Sequence, residues 1–466
     1  MELKRTTPGK AGIAPRAILD FVDAVDREEL GLHSFMLLRH GEVASEGWWA
    51  PYAPEKRHML FSLSKSFTSM AVGFAIREGR FSLDDTVLSF FQDEYDIEPC
   101  ENMRRMTVRH LLTMNTGHDA EPQVFGTPNW AYAFLTSFVA RRPGSLFVYN
   151  TAATYMLSCI VQKTTGQKLI DYLTPRLFEP LGIQGATWEE SPQGVNTGGF
   201  GLNLATEDIA RFGQMLLSGG CVDGQEIVDP EWVKAATSRQ VPNGDPADMS
   251  DWSQGYGYQF WRCRPEGVFR GDGAFGQYCI VMPKQDACLA MTSGTNNMGR
   301  ILALVWEKLL PAMGEECADE GLDELNARLK RLTVRTPEGE ARRTDEKAFS
   351  GRYIFGTNPL NLRALSLDFL GGVPKFAADF GESSEVKGLF PKQFAELGFG
   401  EWKSAQDGNE YAYAWQDDGL LIRIVHEFTP FAEDIKVKFD KNTMEAAIVR
   451  NVEKNETICL IGKKKD

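Results

Sequence analysis

Strand-type sequence occurs at two widely separated places in the first two thirds of this chain, with helical sequence between them, and that arrangement most constrains the fold. A helix predicted over about 15–29 leads into SFMLLRH, a turn at His40-Gly41 and EVASEGW, which reads as an antiparallel hairpin. Helical segments follow: the one around Ser62, closed by Gly79; TVRHLLTMNTG over 107–117; one over about 151–163, closed by Gly166; and LATEDIARFGQMLLSGG, for which Thr206 is the expected N-cap. From Gly255 strands return as GYGYQFWRC, GVFR, GQYCIVMP and ACLAMTSGT, the last two joined by a short turn over 283–286, before a closing helix over 300–313. One sheet completed by distant parts of the chain accounts for this order, so residues 1–313 are expected to form an α+β domain. It would be an antiparallel sheet flanked by helices, with an inserted helical region.

The character then changes. Residues 314–345 are rich in charge, hold one short helical stretch and end in RTPEGEARRTDEK, which reads as a linker. Over 346–466, segments such as YAYAWQDDGLLIRIVHEF, IKVKFD and EAAIVRN alternate apolar and polar residues between turn signals. A small antiparallel β-barrel or sandwich is expected there.

Composition excludes several functions. A net charge of −14 without clustered Lys and Arg disfavours nucleic acid and anionic membranes as partners. The N-terminal residues lack the apolar stretch of a signal peptide and no run is long enough to cross a bilayer, so a cytoplasmic protein is expected. The cysteines at 100, 159, 221, 263, 279, 288, 317 and 459 form no C-x-x-C pair and are expected to be reduced and buried. The histidines (33, 40, 58, 110, 118, 426) show no H-E-x-x-H or H-x-H spacing, and neither a metal nor another cofactor is implied.

Ser62 and Lys65, in FSLSKSFTSM, share one face at the start of a helix, so the amine can reach the serine hydroxyl. The apolar neighbours Phe61, Leu63, Phe67 and Met70 would bury Lys65 and lower its pKa, as a basic lysine requires. Spacing alone does not decide this. Roughly one S-x-x-K is expected by chance in a chain of this composition, a second copy runs from Ser384 to Lys387, and a capping serine followed by a solvated lysine fits as well. Tyr149 follows the Pro143-Gly144 turn and precedes a helix, where its hydroxyl can face a cleft or simply complete a core. Gly271-Asp272-Gly273-Ala274 heads a strand, where glycines permit close approach to the backbone.

Taken in order, SLSK, REGRFSLDD, TVRHLLTMNTG, PGSLFVYN, the helix ending in TTG, and GDGAFGQY resemble the serine β-lactamase and penicillin-binding-protein superfamily. The branch is that of class C β-lactamases, esterases and D-aminopeptidases. The resemblance covers about 15–312 and implies a β-lactamase-like fold, with Ser62 the acylated nucleophile, Lys65 its proton acceptor and Tyr149 a second acid/base group. It also implies an oxyanion hole from the backbone N–H groups of Ser62 and Ala274. Two departures matter. The Y-x-N motif reads Tyr149-Asn150-Thr151, leaving Asn150 or Thr151 to serve in substrate binding, and K-T-G reads Gly271-Asp272-Gly273, which replaces a carboxylate-binding cation by an acid. The expected activity is therefore a serine hydrolase of a small ester or amide substrate, with weak β-lactamase activity. Trp48, Trp49, Trp130, Tyr256 and Trp261 could supply an apolar pocket. A non-catalytic binding protein that keeps the fold is the alternative; a Ser-His-Asp enzyme lacks its G-x-S-x-G elbow. The oligomeric state is not legible.

Overall fold

The computed structural model describes residues 1–382, 390–452 and 457–465, so the second S-x-x-K pair, Ser384 to Lys387, lies outside the described residues. The distant strand segments meet in one seven-stranded sheet. Its order is β1 (Lys4–Arg5), β3 (Glu42–Trp48), β2 (Leu32–Arg39), β7 (Ala287–Ser293), β6 (Gln277–Met282), β5 (Phe269–Gly273) and β4 (Trp261–Arg262). β4 to β7 pair antiparallel in turn and β7 pairs antiparallel with β2, whereas β1 is parallel to β3. Pairing of Leu37 with Leu289 and of Met36 with Ala290 closes the sheet between its two sequence halves. Every residue of β2, β6 and β7 is buried, which explains their continuous apolar runs.

Helices cover this sheet. In α1 (Pro15–Arg27) proline opens the helix, where its missing N–H costs nothing, and Ile18, Phe21, Val22 and Val25 face inward. In α2 (Ser64–Arg77) every residue from Ser64 to Ala75 is buried, serines and threonines included. The helix α3 (Thr151–Thr165) ends at Gly166 in the left-handed conformation, as its sequence predicts. In α4 (Thr206–Leu217) the cap lies one residue earlier than expected: Ala205 is the N-cap, its N–H donates to the Asp208 carboxylate at 3.2 Å, and Thr206 is already helical.

Other elements are shorter than their patterns suggest. Only Trp261–Arg262 of GYGYQFWRC is strand, because Gly255 and Gln259 take positive φ. The helix expected over 107–117 covers Val108–Leu112 and stops before Met114, also at positive φ. The closing helix runs as Met298–Leu304, a π-helical turn Val305–Leu309 and a 3-10 turn Leu310–Ala312.

The chain divides into two compact units. The first contains 1–47, 57–293 and 297–330; the second contains 48–56, 294–296 and 331–466. The charged stretch over 314–345 is thus shared. Its helix Leu322–Leu329 belongs to the first unit, where Leu325 is buried and Arg328 donates to Asp23 at 2.9 Å and to Asp26.

The second unit is a nearly closed ten-stranded antiparallel sheet running from Gly351–Phe355 to Ile458–Lys464. Alternation places Ile435 and Val437 in its core and Lys436 and Lys438 outside. Inside, His426 lies between Asn409 and Glu433, and Arg450 donates to the same glutamate at 2.9 Å. The segment 48–56 is tied to this unit by Ala50 N–H to Leu332 O (3.0 Å), Val334 N–H to Ala50 O (2.8 Å) and Tyr52 hydroxyl to Thr429 O (3.1 Å).

Not every cysteine is buried as expected. Cys317 and Cys459 are exposed and Cys100 and Cys221 are intermediate; Cys459 occupies an outward position of its alternating strand. Among the described residues no helix is long and apolar enough to cross a membrane.

Ending the chain at Lys330 would remove every named partner of 48–56 and uncover Trp49 and Tyr52, now 2% and 6% exposed. Such a chain should melt roughly 5 °C or more below the full-length protein in calorimetry. An unchanged Tm would show that 48–56 holds its structure without those contacts.

Candidate active site

The cleft is built where α2, α3 and β5 converge. Ser62 lies in a 3-10 turn, Phe61–Leu63, that feeds α2, and Phe61 takes φ of 48°. That left-handed value is strained for a bulky side chain and aims the turn at β5. Gly273 makes the approach possible, since a Cβ there would stand 2.0 Å from Leu60 O. At Gly271 a Cβ would meet Leu63 and the Ser66 hydroxyl at 2.5 Å. Ala274 follows Gly273 in the turn between β5 and β6, beside Phe275, whose ring meets that of Phe61 edge-on at 5.2 Å.

Lys65 is 1% exposed, yet its amine is fully engaged. Nζ lies 2.9 Å from Ser62 Oγ, 3.3 Å from Thr151 Oγ1 and 2.7 Å from Gly199 O. Burial pulls the ammonium down to about 7, and the carboxylates of Glu121 and Asp272 only partly oppose this. Gly199 must be glycine here: a Cβ would fall 2.6 Å from Thr151 Cγ2 and 3.4 Å from Nζ.

Tyr149 reaches the same point from the other side. Nζ of Lys65 sits 5.0 Å from its ring centroid, and its hydroxyl is within the influence of Ser62. Burial and the Asp272 carboxylate push the phenol well above its ordinary value, with Ser62 opposing the shift. The ring stacks on Trp261 at 5.3 Å and meets Tyr256 edge-on, so two of the five rings named from sequence stand beside Tyr149. Trp130 is placed with Phe125 and Phe200, whereas Trp48 and Trp49 belong to the second unit.

Asn150 is withdrawn from the cleft. It is fully buried, its Oδ1 accepts the Ala153 N–H at 3.0 Å as the N-cap of α3, and its Nδ2 donates to Thr116 at 3.4 Å. The expected substrate contact from its amide is therefore not available, and Thr151 alone of the two reaches Lys65. Asp272 is buried and ion-paired to Arg270 at 2.9 Å. Arg270 also donates to Asp251 O at 2.9 Å and lies 4.7 Å from the Trp252 ring.

Several contributors carry no motif. Gln259 ties three segments together, donating to Leu112 O at 2.8 Å and accepting from Thr154 at 2.7 Å, while its carbonyl accepts from Ser66 at 3.0 Å. Glu121 accepts the N–H groups of Thr151 (2.6 Å) and Ala152 (3.1 Å) at the start of α3. No short-range pattern marks either residue.

The Beta-lactamase family model matches residues 26–309. The chain belongs to the Beta-lactamase family. Among its relatives, the 6-aminohexanoate-dimer hydrolase of Paenarthrobacter ureafaciens is 27% identical over 288 residues, covering 57% of this chain and 73% of that protein. A D-aminopeptidase of Brucella anthropi is 26% identical over 165 residues, 32% of this chain and 31% of that one. In fold, the octameric penicillin-binding protein homologue of Pyrococcus abyssi matches with a TM-score of 0.53 at 18% identity, across 96% of this chain and 99% of its own. This Beta-lactamase family member is a hydrolase of the serine β-lactamase and penicillin-binding-protein type.

Because Asn150 holds the first turn of α3 and satisfies Thr116, Asn150→Ala should destabilise the protein by about 1–2 kcal/mol in urea denaturation. An unchanged midpoint would mean the amide is not holding the helix.

Proposed function

We propose that this hydrolase cleaves a small amide or ester through an acyl-enzyme on Ser62. The observation that carries the reading is a buried lysine whose Nζ lies 2.9 Å from a half-exposed serine Oγ. A neutral amine presents a lone pair to the hydroxyl, whereas a solvated lysine would be protonated and useless as a base. Near neutral pH a useful fraction of Lys65 is neutral.

In the proposed sequence Ser62 Oγ attacks the substrate carbonyl and its proton passes to Lys65 Nζ. Negative charge then develops on the carbonyl oxygen, facing the N–H groups of Ser62 and Ala274, where each well-placed donor contributes a few kcal/mol. Collapse of the tetrahedral state breaks the bond to the leaving group. Tyr149, held protonated by its burial and close to Ser62, gives the leaving group its proton and recovers one from Lys65. Water repeats the sequence to release the acid. The two groups thus divide the labour, because their surroundings push their pKa values in opposite directions. Gly271, Gly273 and Thr151 would line the substrate path, with Tyr256 and Trp261 as an apolar wall.

Asp272 argues against a carboxylate-bearing substrate such as a penicillin. The acid is paired internally with Arg270, so neither group offers a free cation to the cleft. The names of the relatives, an aminohexanoate-dimer hydrolase and a D-aminopeptidase, favour an amide.

Ser62→Ala should abolish hydrolysis of short-chain p-nitrophenyl esters while leaving the circular dichroism spectrum intact. Retained turnover would place the nucleophile elsewhere. Lys65→Ala and Tyr149→Phe should each lower kcat/KM by roughly 10²-fold or more, and the double variant should lose far less than the product, as for groups acting in one unit. Multiplicative losses would separate their roles. Penicillin turnover should be slower than ester turnover, and equal rates would overturn the reading of Asp272.

A further inference from the structure

The charged groups around the cleft leave one acid unmatched. Asp272 is paired with Arg270, and Asp119, two residues before Glu121, is paired with Arg141. Glu121 forms no ion pair among the described residues, although it is only half-buried and Lys65 is within its electrostatic reach. Its Oε1 is fixed by two backbone N–H groups of α3, at 2.6 and 3.1 Å, and the second oxygen has no hydrogen bond among the described residues. The carboxylate is thus positioned and not neutralised.

Its place relative to the reacting serine is also defined. Ser62 Oγ contacts Lys65 Nζ, Nζ contacts Thr151 Oγ1, and the Thr151 N–H is held by Glu121. Tyr149, the proposed donor to the leaving group, comes to Lys65 from another segment, with Nζ 5.0 Å from its ring centroid, so the side that runs through Lys65 and Thr151 is left to the acyl group. Aromatic side chains flank these residues in the chain. Phe200 follows Gly199, Phe125 shares the loop of Glu121, and their rings lie 5.6 Å apart, with Trp130 at 4.9 Å from Phe125. An apolar chain ending in a cation matches an aromatic wall that ends in a fixed carboxylate.

We propose that Glu121 is the specificity-determining residue of the cleft and receives an ammonium group at the far end of the substrate's acyl chain. The preferred substrates are then amides or esters of amine-terminated acids, not of neutral or acidic ones. This rests on the reading of Ser62 as the nucleophile. Charge complementarity acts chiefly on binding, so the preference belongs mainly in KM and weakens as salt is raised.

The test uses the full-length protein and the p-nitroanilides of δ-aminovaleric acid and hexanoic acid together with the mono-p-nitroanilide of adipic acid, which are similar in chain length and differ in terminal charge. The wild-type protein should favour the ammonium substrate over the neutral one by about tenfold or more in kcat/KM, mostly through KM, with the acidic one slowest. In E121Q, which keeps an oxygen for the Thr151 and Ala152 N–H groups, the ratio of ammonium to neutral substrate should fall towards one. In E121K the order should invert towards the adipic mono-p-nitroanilide, which ends in a carboxylate. Ratios rather than rates are read, because loss of the Glu121 charge also alters Lys65. Equal kcat/KM for the three substrates in the wild type, or an unchanged ratio in E121Q, overturns the proposal. Fluorophosphonate labelling in parallel separates the two failures: Ser62 labelled without charge preference overturns Glu121 alone, and Ser62 unlabelled with no turnover overturns the nucleophile and this proposal together.

Discussion

Holding Lys65 out of water is the physical constraint on which the cleft depends. Burying an ammonium costs several kcal/mol even after a protein relaxes around it, and this one is 1% exposed. Shedding the proton relieves most of that cost, and a neutral amine still has to be satisfied. Gly199 O and Thr151 Oγ1 take its two N–H groups, and the lone pair is left for Ser62. The arrangement that makes the lysine tolerable inside the protein is therefore the one that its proposed role as a base requires.

The surrounding fold serves that arrangement through close backbone approach. Gly199, Gly271 and Gly273 each stand where a methyl group would collide with a neighbour, so the 199 loop and β5 can lie directly against the start of α2. Gln259 then locks α2, α3 and the 111–112 segment with four hydrogen bonds from one buried residue. A second buried polar group, the Arg270–Asp272 pair, keeps charge behind the Trp261–Tyr149 stack and raises the cost of a phenolate in front of it. Burial thus favours the phenol form of Tyr149 and the amine form of Lys65.

How much of this is legible in sequence depends on the range of the contact. Ser62 and Lys65 are one turn apart, so their proximity follows from local geometry, and the ordered motifs supply Tyr149 and Gly271 to Ala274. Asn150 precedes a helix, and the capping rule names its role more accurately than the resemblance does. Glu121, Gly199 and Gln259 meet the site across long stretches of chain, with no spacing that could mark them beforehand. The assignment of 48–56 to the second unit is hidden for the same reason: its tryptophans show no periodicity, and its partners lie beyond residue 331. The ten-stranded sheet is legible because alternation is a local signal that repeats strand after strand.

The account stands on Lys65 being the neutral group that takes the proton of Ser62. The most direct measurement is the pH dependence of the second-order rate constant for inactivation by a fluorophosphonate, which requires the nucleophile but no substrate recognition. Inactivation should rise through a single ionisation at about 7, the value to which burial lowers Lys65, and level off above it as the amine becomes fully neutral. A rate that climbs only near pH ~10, where a solvated lysine loses its proton, would contradict the account.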